Sequence, residues 1–248
     1  MKIVNVQGTS KTGKTTTVSG IIKELGRRGY SVGSIKEIHF EGFTLETPGT
    51  NTDTHKKSGA DQVTARGLTE TDVMFKERMN IERLLDMYDQ DYVVIEGSTE
   101  ANCPAIVTGI TTQDLDKQIS PVTIAVSGVV SNELVEYKGL PVINGLTDIE
   151  ALVSLIEEKT PERMPAYPED CCTQCGYGCR GLLEKIISGE AERSDCVVKG
   201  GKIQVFIGEE ELPMVPFVQS IVQRVTTSVL EELDGYRKDR EITIKIRL

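Results

Sequence analysis

The sequence predicts an α/β fold: a mostly parallel sheet with helices on both faces, followed by a small α+β C-terminal domain that holds a metal or cluster. Two observations carry this prediction. Short strands that are apolar along their whole length alternate with helical patterns through the first 157 residues, as in sheets that are covered on both sides. After a proline-rich break, five of the six cysteines fall between residues 171 and 196, which is typical of a metal site.

The composition excludes several classes of protein. The chain has 248 residues, of which 38% are hydrophobic and 27% charged, as in globular domains. Its formal net charge of −10 argues against a nucleic-acid partner or an anionic membrane surface, both of which favour basic patches. No apolar run approaches the roughly 18 residues of a membrane helix, and residues 1–6 enter a strand pattern without a signal core. We therefore expect a cytoplasmic protein.

The elements of the first part follow from β-branched apolar runs and from apolar residues at helical spacing. The predicted strands span residues 2–7, 31–36, 91–96, 104–107, 122–126 and 141–143. The predicted helices span residues 14–28, ended by Gly29, then 71–88 and 149–158.

Three prolines among charged residues predict an extended linker at 161–170. The linker divides the chain into a nucleotide-binding domain, 1–160, and a cysteine domain, 171–248. In the second domain we expect a helix at 181–188, a hairpin of 197–198 with 203–207, a helix at 217–233 and a strand at 242–246. Four apolar residues of the last helix recur every four residues and predict its core face, or alternatively a dimer seam: Phe217, Ile221, Val225 and Val229.

A phosphate loop lies between the first predicted strand and helix. Residues 8–15 (GTSKTGKT) satisfy the pattern G-x-x-x-x-G-K-[ST] at every fixed position. Backbone N–H groups and the helix N-terminus would face an anion, Lys14 would neutralise phosphate charge, and the Thr15 hydroxyl would ligate Mg²⁺. The predicted nucleotide-binding residues are Gly8, Thr9, Ser10, Lys11, Thr12, Gly13, Lys14, Thr15 and Thr16.

An acidic strand end completes this predicted site. Glu96 ends the apolar run 91–96, and ligands bind at the carboxyl ends of parallel strands, so Glu96 is predicted to hold Mg²⁺ or to orient water. Lys14 and Glu96 are therefore the candidate catalytic residues. No N-K-x-D pattern is present, which leaves GTP and ATP both open. The polar run between the two strands contains His39 and His55 and is a candidate switch or substrate loop.

The runs GTSKTGKT, SIK with His39, PGTNTDTH, SGA and VVIEG occur in an order that resembles the MobB family, the molybdopterin-guanine dinucleotide biosynthesis proteins B. The resemblance covers about residues 1–158. It implies a P-loop adapter that binds GTP, hydrolyses it slowly, assists nucleotide attachment to molybdopterin and contacts a molybdopterin-processing partner. It also makes a homodimer plausible.

The cysteines Cys172, Cys175, Cys179 and Cys196 have metal-ligand spacing, and Cys171 is an additional candidate ligand. Four sulfur ligands suit either Zn²⁺ or an iron–sulfur cluster, and free redox thiols are a third possibility. The run CTQCGYGCR, the later ISGEA and the distant Cys196 resemble the small 4Fe–4S module of the corrinoid iron–sulfur protein and of Rnf-complex B subunits. That resemblance implies a 4Fe–4S cluster.

Three functional hypotheses follow. The first is a GTP-binding accessory protein of molybdenum or tungsten cofactor biosynthesis that carries an iron–sulfur cluster. The second is a nucleotide-driven factor for metallocentre maturation or electron delivery. The third is a non-catalytic adapter whose tail is held by a structural zinc ion.

Overall fold

The computed structural model describes residues 1–166, 175–196, 203, 205–207, 210–212, 214, 216–234 and 236. In chain order the described elements are β1 (Lys2–Gly8), α1 (Lys14–Arg27), β2 (Val32–Lys36), α2 (Asn51–Lys57), β3 (Gln62–Arg66), β4 (Thr71–Phe75), α3 (Ile81–Leu85), β5 (Tyr92–Glu96), β6 (Ala105–Thr108), α4 (Thr112–Asp116), β7 (Thr123–Ser127), β8 (Glu136–Tyr137), β9 (Leu140–Pro141), α5 (Ile149–Lys159), α6 (Gly178–Ser188), β10 (Phe206–Ile207), β11 (Glu210–Glu211) and α7 (Pro216–Glu231). Two 3-10 turns lie at Val129–Asn132 and Arg193–Asp195.

A five-stranded sheet in the order β2-β5-β1-β6-β7 forms the centre, and all its strand pairs are parallel. Parallel strands present their carboxyl ends at one edge. The end of β1 therefore lies between the ends of β5 and β6, which brings the loops after these three strands together. The predicted fold class is confirmed.

Helices cover both faces of the sheet, because alternate residues of each strand point to opposite sides. On one face α1 and α5 pack against β1 and β5 through Leu25, Leu152 and Val94, all fully buried. On the other face α3 packs against the same two strands through Ile81 and Leu85.

The second face also holds α6, the helix of the cysteine region. Leu182 and Leu183 are fully buried and share one apolar cluster with Ala105 of β6 and with Val122, just before β7. This helix therefore lies directly on the sheet. The predicted division into a nucleotide domain, a linker and a cysteine domain stays a prediction.

The segment at the start of the predicted linker also contacts the first part of the chain. Met164 is only 3% exposed and joins the apolar cluster of α6. The Arg163 guanidinium pairs with Glu82 at 2.7 Å and with Asp86 at 2.6 Å.

The helix predicted at 71–88 is wrong in its first half. Residues 71–75 form β4, which pairs antiparallel with β3, and the only helix in this stretch is α3, Ile81–Leu85. The apolar residues at 73 and 75 fit helical spacing and strand alternation equally well. Pairing with β3, a strand that the sequence analysis did not predict, decides between the two, since hairpins depend on cross-strand contacts.

The other predicted elements have mixed outcomes. The five sheet strands, α1, α5, α6 and α7 are confirmed within two or three residues at their ends. The strand predicted at 141–143 is instead β9, paired antiparallel with β8, followed by a single parallel bridge from Val142 to Val126. Residues 197–198 and 242–246 lie outside the described residues; the described hairpin pairs β10 with β11.

The prediction of a buried face on α7 is wrong. Phe217, Val225 and Val229 are 69%, 61% and 62% exposed, and Ile221 is also exposed. Across the described residues, no helix has the length and apolar character needed to cross a membrane.

Candidate functional site

The phosphate loop connects β1 to α1 and depends on two glycines. Gly13 adopts a left-handed conformation, φ 96°, and is the N-cap of α1, so the loop meets the positive end of the helix dipole. At Gly8, a Cβ atom would lie 2.3 Å from Thr108 Oγ1 and 2.4 Å from the Thr108 carbonyl oxygen. The close approach of β6 therefore requires glycine at this position.

Thr12 holds the loop from behind. Its side chain is fully buried, its hydroxyl donates to the Thr9 carbonyl at 2.9 Å, and Thr12 Oγ1 lies 2.7 Å from Thr108 Oγ1. Thr108 Oγ1 also donates to the Gln7 carbonyl at 3.2 Å. These bonds link the loop to the ends of β1 and β6.

The residues after β7 support the loop from a third direction. The Val129 N–H donates to the Thr12 carbonyl at 3.1 Å. Gly128 has a left-handed φ of 83°, and a Cβ atom there would lie 2.1 Å from the Thr12 carbonyl oxygen. Sequence analysis missed Thr108, which ends the apolar strand β6, and Gly128, which follows the apolar strand β7, although both lie at the edge where ligands bind.

Oppositely charged side chains meet beside the loop. The Thr15 hydroxyl donates to Glu96 Oε1 at 2.8 Å, and Lys36 Nζ lies 3.3 Å from the same oxygen. The Lys14 ammonium donates to the Thr9 carbonyl. Burial lowers the pKa of Lys14 below its ordinary value, and the nearby Glu96 carboxylate partly opposes that shift.

An open cleft of about 730 Å³ lies over the loop. Its lining includes every predicted nucleotide-binding residue except Thr12, together with the predicted acid: Gly8, Thr9, Ser10, Lys11, Gly13, Lys14, Thr15, Thr16 and Glu96. The cleft thus combines a helix N-terminus, three lysines and a hydroxyl–carboxylate pair. Such a site suits a phosphate chain with a divalent cation, because hard cations prefer oxygen ligands.

Several lining residues had no predicted role. They are Lys36, Glu37, Gly97, Ser98 and Gln118. Glu37 also pairs with Arg78 at 3.3 Å. Most of them lie at or directly after the ends of β2 and β5, at the carboxyl edge of the sheet, and this position is the sequence feature that could have identified them.

The two histidines have different positions. His39 lines the cleft, and its Nε2 lies 3.1 Å from the Ser98 carbonyl oxygen. His55 is exposed on α2 and is not among the residues that line the cleft.

The described cysteines of the cluster surround α6. Cys175 precedes the helix by three residues, Cys179 lies in its first turn, and Cys196 follows the turn Arg193–Asp195. Cys175 and Cys196 share the apolar cluster of Leu182 and Leu183, and Cys196 is buried. The predicted ligand Cys172 and the extra candidate Cys171 lie outside the described residues. Within the described part of the chain, no three acidic, histidine or cysteine side chains form a metal-binding group.

Cys103 is separate from this set. It is 4% exposed and packs with Ile3, Ile95 and Leu85 on the second face of the sheet. Burial raises the pKa of its thiol to about 12, which makes it a small apolar core residue.

Two families match the chain. Residues 3–131 match the family described as "Molybdopterin guanine dinucleotide synthesis protein B", or MobB. Residues 168–198 match a second family, described as "Putative Fe-S cluster". The two matches cover the phosphate loop and the cysteine cluster respectively.

Individual relatives agree with the first match. A Methanocaldococcus jannaschii protein named "Putative molybdopterin-guanine dinucleotide biosynthesis adapter protein" is 28% identical over 255 residues, which is 99% of this chain and 97% of that protein. The crystal structure of MobB from Bacillus subtilis superposes with a TM-score of 0.53 at 26% identity, covering 63% of this chain and 96% of that one. A second structure of the same Bacillus protein gives a TM-score of 0.51 at 23% identity, covering 62% and 97%.

Proposed function

Since the chain belongs to the MobB family of molybdopterin guanine dinucleotide synthesis proteins, we propose that it is a GTP-binding adapter of molybdopterin guanine dinucleotide biosynthesis that carries a 4Fe–4S cluster. The observation that carries the nucleotide part is the cleft in which the phosphate loop, Lys14, Thr15 and Glu96 meet. The adapter part is supported by the name of the Methanocaldococcus relative, which aligns over both parts of the chain.

The chain's own groups divide the work of nucleotide binding. The N-terminus of α1 and the loop amides would bind the phosphates, and Lys14 would leave the Thr9 carbonyl to contact phosphate oxygens. Thr15 and Glu96 would hold Mg²⁺, which offsets phosphate charge when bound. Lys36 would neutralise the remaining charge on Glu96. We propose slow hydrolysis at most, which suits an adapter.

The cysteine region would hold the cluster through Cys172, Cys175, Cys179 and Cys196. Four thiolates suit an iron–sulfur cluster, and the burial of Cys196 in an apolar environment limits solvent access to the site. A bound cluster supplies one-electron redox chemistry. The family match at 168–198 supports this choice over zinc.

Calorimetric titration with Mg²⁺–GTP and Mg²⁺–ATP tests the nucleotide part. We expect GTP to bind more tightly than ATP. Lys14→Ala should weaken GTP binding roughly 10- to 100-fold, because a hydrogen bond to a charged group contributes about 1.5–3 kcal/mol. Lys23→Ala is the matched control, since Lys23 is exposed on the same helix and does not line the cleft. Equal affinity in the two variants would refute the proposed role of the cleft.

Metal analysis tests the cluster part. Protein purified without oxygen should absorb near ~400 nm and contain about four irons per chain. Cys179→Ala should lose most of this iron, whereas Cys103→Ala should retain it, because Cys103 packs in a different apolar cluster from Cys175 and Cys196. A colourless protein with one zinc ion would instead establish the structural-zinc alternative.

The remaining proposals concern partners and location. We propose a molybdopterin-processing protein as the partner and the cytoplasm as the location, where cysteine thiols stay reduced. We also propose a homodimer that buries the exposed apolar stripe of α7, since contiguous exposed apolar surface is typical of interaction sites.

A further inference from the structure

An eight-residue segment, 97–104, runs from the nucleotide cleft to the cysteine helix. It begins at Gly97 and Ser98, which line the cleft, and ends at β6. The segment contains no helix, although it connects two parallel strands. We call it the strap.

The first end of the strap is fixed to the nucleotide site. Gly97 follows Glu96 directly, and its N–H donates to the Val6 carbonyl at 2.9 Å. Gly97 also lies against Glu37, since a Cβ atom at Gly97 would be 3.0 Å from Glu37 Cβ. His39 Nε2 lies 3.1 Å from the Ser98 carbonyl oxygen. A change in the position of Glu96 or Glu37 therefore reaches the strap through direct contacts.

The second end of the strap is fixed to the cysteine site by Asn102. Asn102 is only 8% exposed, and its side-chain Nδ2 donates to the Cys179 carbonyl at 3.0 Å and to the Pro165 carbonyl at 3.1 Å. One side chain thus binds the carbonyl of the Cys179–Arg180 peptide and the Pro165 carbonyl, which lies in the segment that leads into the cysteine region. Buried hydrogen bonds of this kind are costly to leave unmade.

Apolar packing makes the connection stiff. Ala101 and Cys103, on either side of Asn102, are buried in the cluster on the second face of the sheet. Leu182 and Leu183 fasten α6 to Ala105 and Val122 beside the end of the strap. Close-packed elements transmit displacement better than a flexible linker does.

We propose that Asn102 is a positioning residue of the cysteine site and that, through the strap, it couples cluster binding at the cysteines to nucleotide binding in the cleft. The coupling rests on the proposed function, since it needs both ligands. Five residues separate Glu96 from Asn102, so these two residues lie at most about 22 Å apart along the chain. Because coupling is reciprocal, each ligand changes the affinity for the other by the same factor.

The test compares nucleotide affinity in two forms of the full-length protein, one with its cluster and one stripped by a chelator without oxygen. The dissociation constant for Mg²⁺–GTP should differ at least about fivefold between the two forms, the lower end of typical allosteric coupling. In Asn102→Ala the two dissociation constants should become equal. Thr160→Val is the matched control, since Thr160 is also a buried polar residue, follows α5, and has a hydroxyl without a hydrogen-bond partner among the described residues.

A second readout follows the cluster itself. If the oxidised and reduced forms of the wild type also differ fivefold in GTP affinity, saturating GTP should shift the midpoint potential of the cluster by about 40 mV. This value follows because a tenfold difference in affinity corresponds to about 59 mV for a one-electron couple. Asn102→Ser, a smaller change, should reduce this shift while the absorption spectrum of the cluster remains. A residue with a merely structural role would lower stability without removing the shift.

The outcomes separate the two proposals. A protein that binds neither nucleotide nor metal refutes the proposed function itself. A wild type that binds both with no mutual effect refutes the coupling alone. The coupling is also refuted if Asn102→Ala and Asn102→Ser keep the wild-type ratio of affinities.

Discussion

Gly128 offers a direct test of how the sheet shapes the phosphate loop, because it lies outside the phosphate-loop motif. In Gly128→Ala the new Cβ would lie 2.1 Å from the Thr12 carbonyl oxygen and 2.9 Å from Thr108 Cβ. Neither neighbour is the flexible end of a side chain. The loop or the residues after β7 must therefore move.

The expected magnitude has two parts. A side chain at φ 83° and ψ −155°, a combination essentially restricted to glycine, costs roughly 1–3 kcal/mol, and the steric overlap adds roughly 1–3 kcal/mol. Gly139→Ala separates them, since Gly139 has φ 77° and no atom within 4 Å of its Cβ position. That control should lose only the first part. Gly128→Ala should then be less stable than Gly139→Ala by about 1–3 kcal/mol.

The assays are urea unfolding and Mg²⁺–GTP titration of both variants. Because the overlap falls on Thr12, Gly128→Ala should also bind GTP roughly tenfold more weakly, which corresponds to about 1.4 kcal/mol. Gly139→Ala should bind like the wild type. If the two variants unfold at the same urea concentration and bind GTP equally, the loop does not depend on support from β7 and the reasoning fails.

Four further predictions address other contacts. Hydrogen bonds from Arg27 and Arg28 lower the pKa of Glu24 from its ordinary value of 4.5 to about 2. The ionised Glu24 therefore stabilises the folded protein fully above pH 4.5, and this stabilisation is lost as the pH falls toward 2. Glu24→Gln should accordingly show a weaker loss of stability with acid over this pH range. Glu96→Gln should weaken Mg²⁺–GTP binding at least roughly tenfold while binding in EDTA stays unchanged; an equal loss in both conditions would argue against a role in holding Mg²⁺. Burial raises the pKa of Cys103 to about 12, so iodoacetamide at about pH 8 should label it only in denaturant, as mass spectrometry would show. Val225→Asp should convert a dimer to a monomer in light scattering; an unchanged mass would exclude the α7 stripe as the dimer contact.

The geometry of the cleft over the phosphate loop was largely predictable, because its signals are local in sequence. A loop motif between an apolar strand and a helix specifies its own conformation, and Glu96 follows an apolar run of the kind that ends at the ligand-binding edge. The contact from Thr15 to Glu96, across 81 positions of sequence, then follows from the pairing of β1 with β5.

The hairpin of β3 and β4 was not predictable from periodicity. Its apolar residues satisfy two spacings at once, and only pairing with a second strand selects one. The prediction that the apolar stripe of α7 is buried was wrong for a related reason, since helical spacing identifies an apolar face but does not show which element covers it.

The sequence by itself determined the parallel sheet, the phosphate loop with its lysine and acid, and the cysteine spacing, because each depends on residues close together in the chain. Only the tertiary structure decided that β6 and β7 support the loop through Thr108 and Gly128, that Lys36 pairs with Glu96, and that Asn102 holds Cys179. These contacts join residues that are far apart in sequence. Their formation depends on how the strands are ordered and packed, and no local pattern encodes that order.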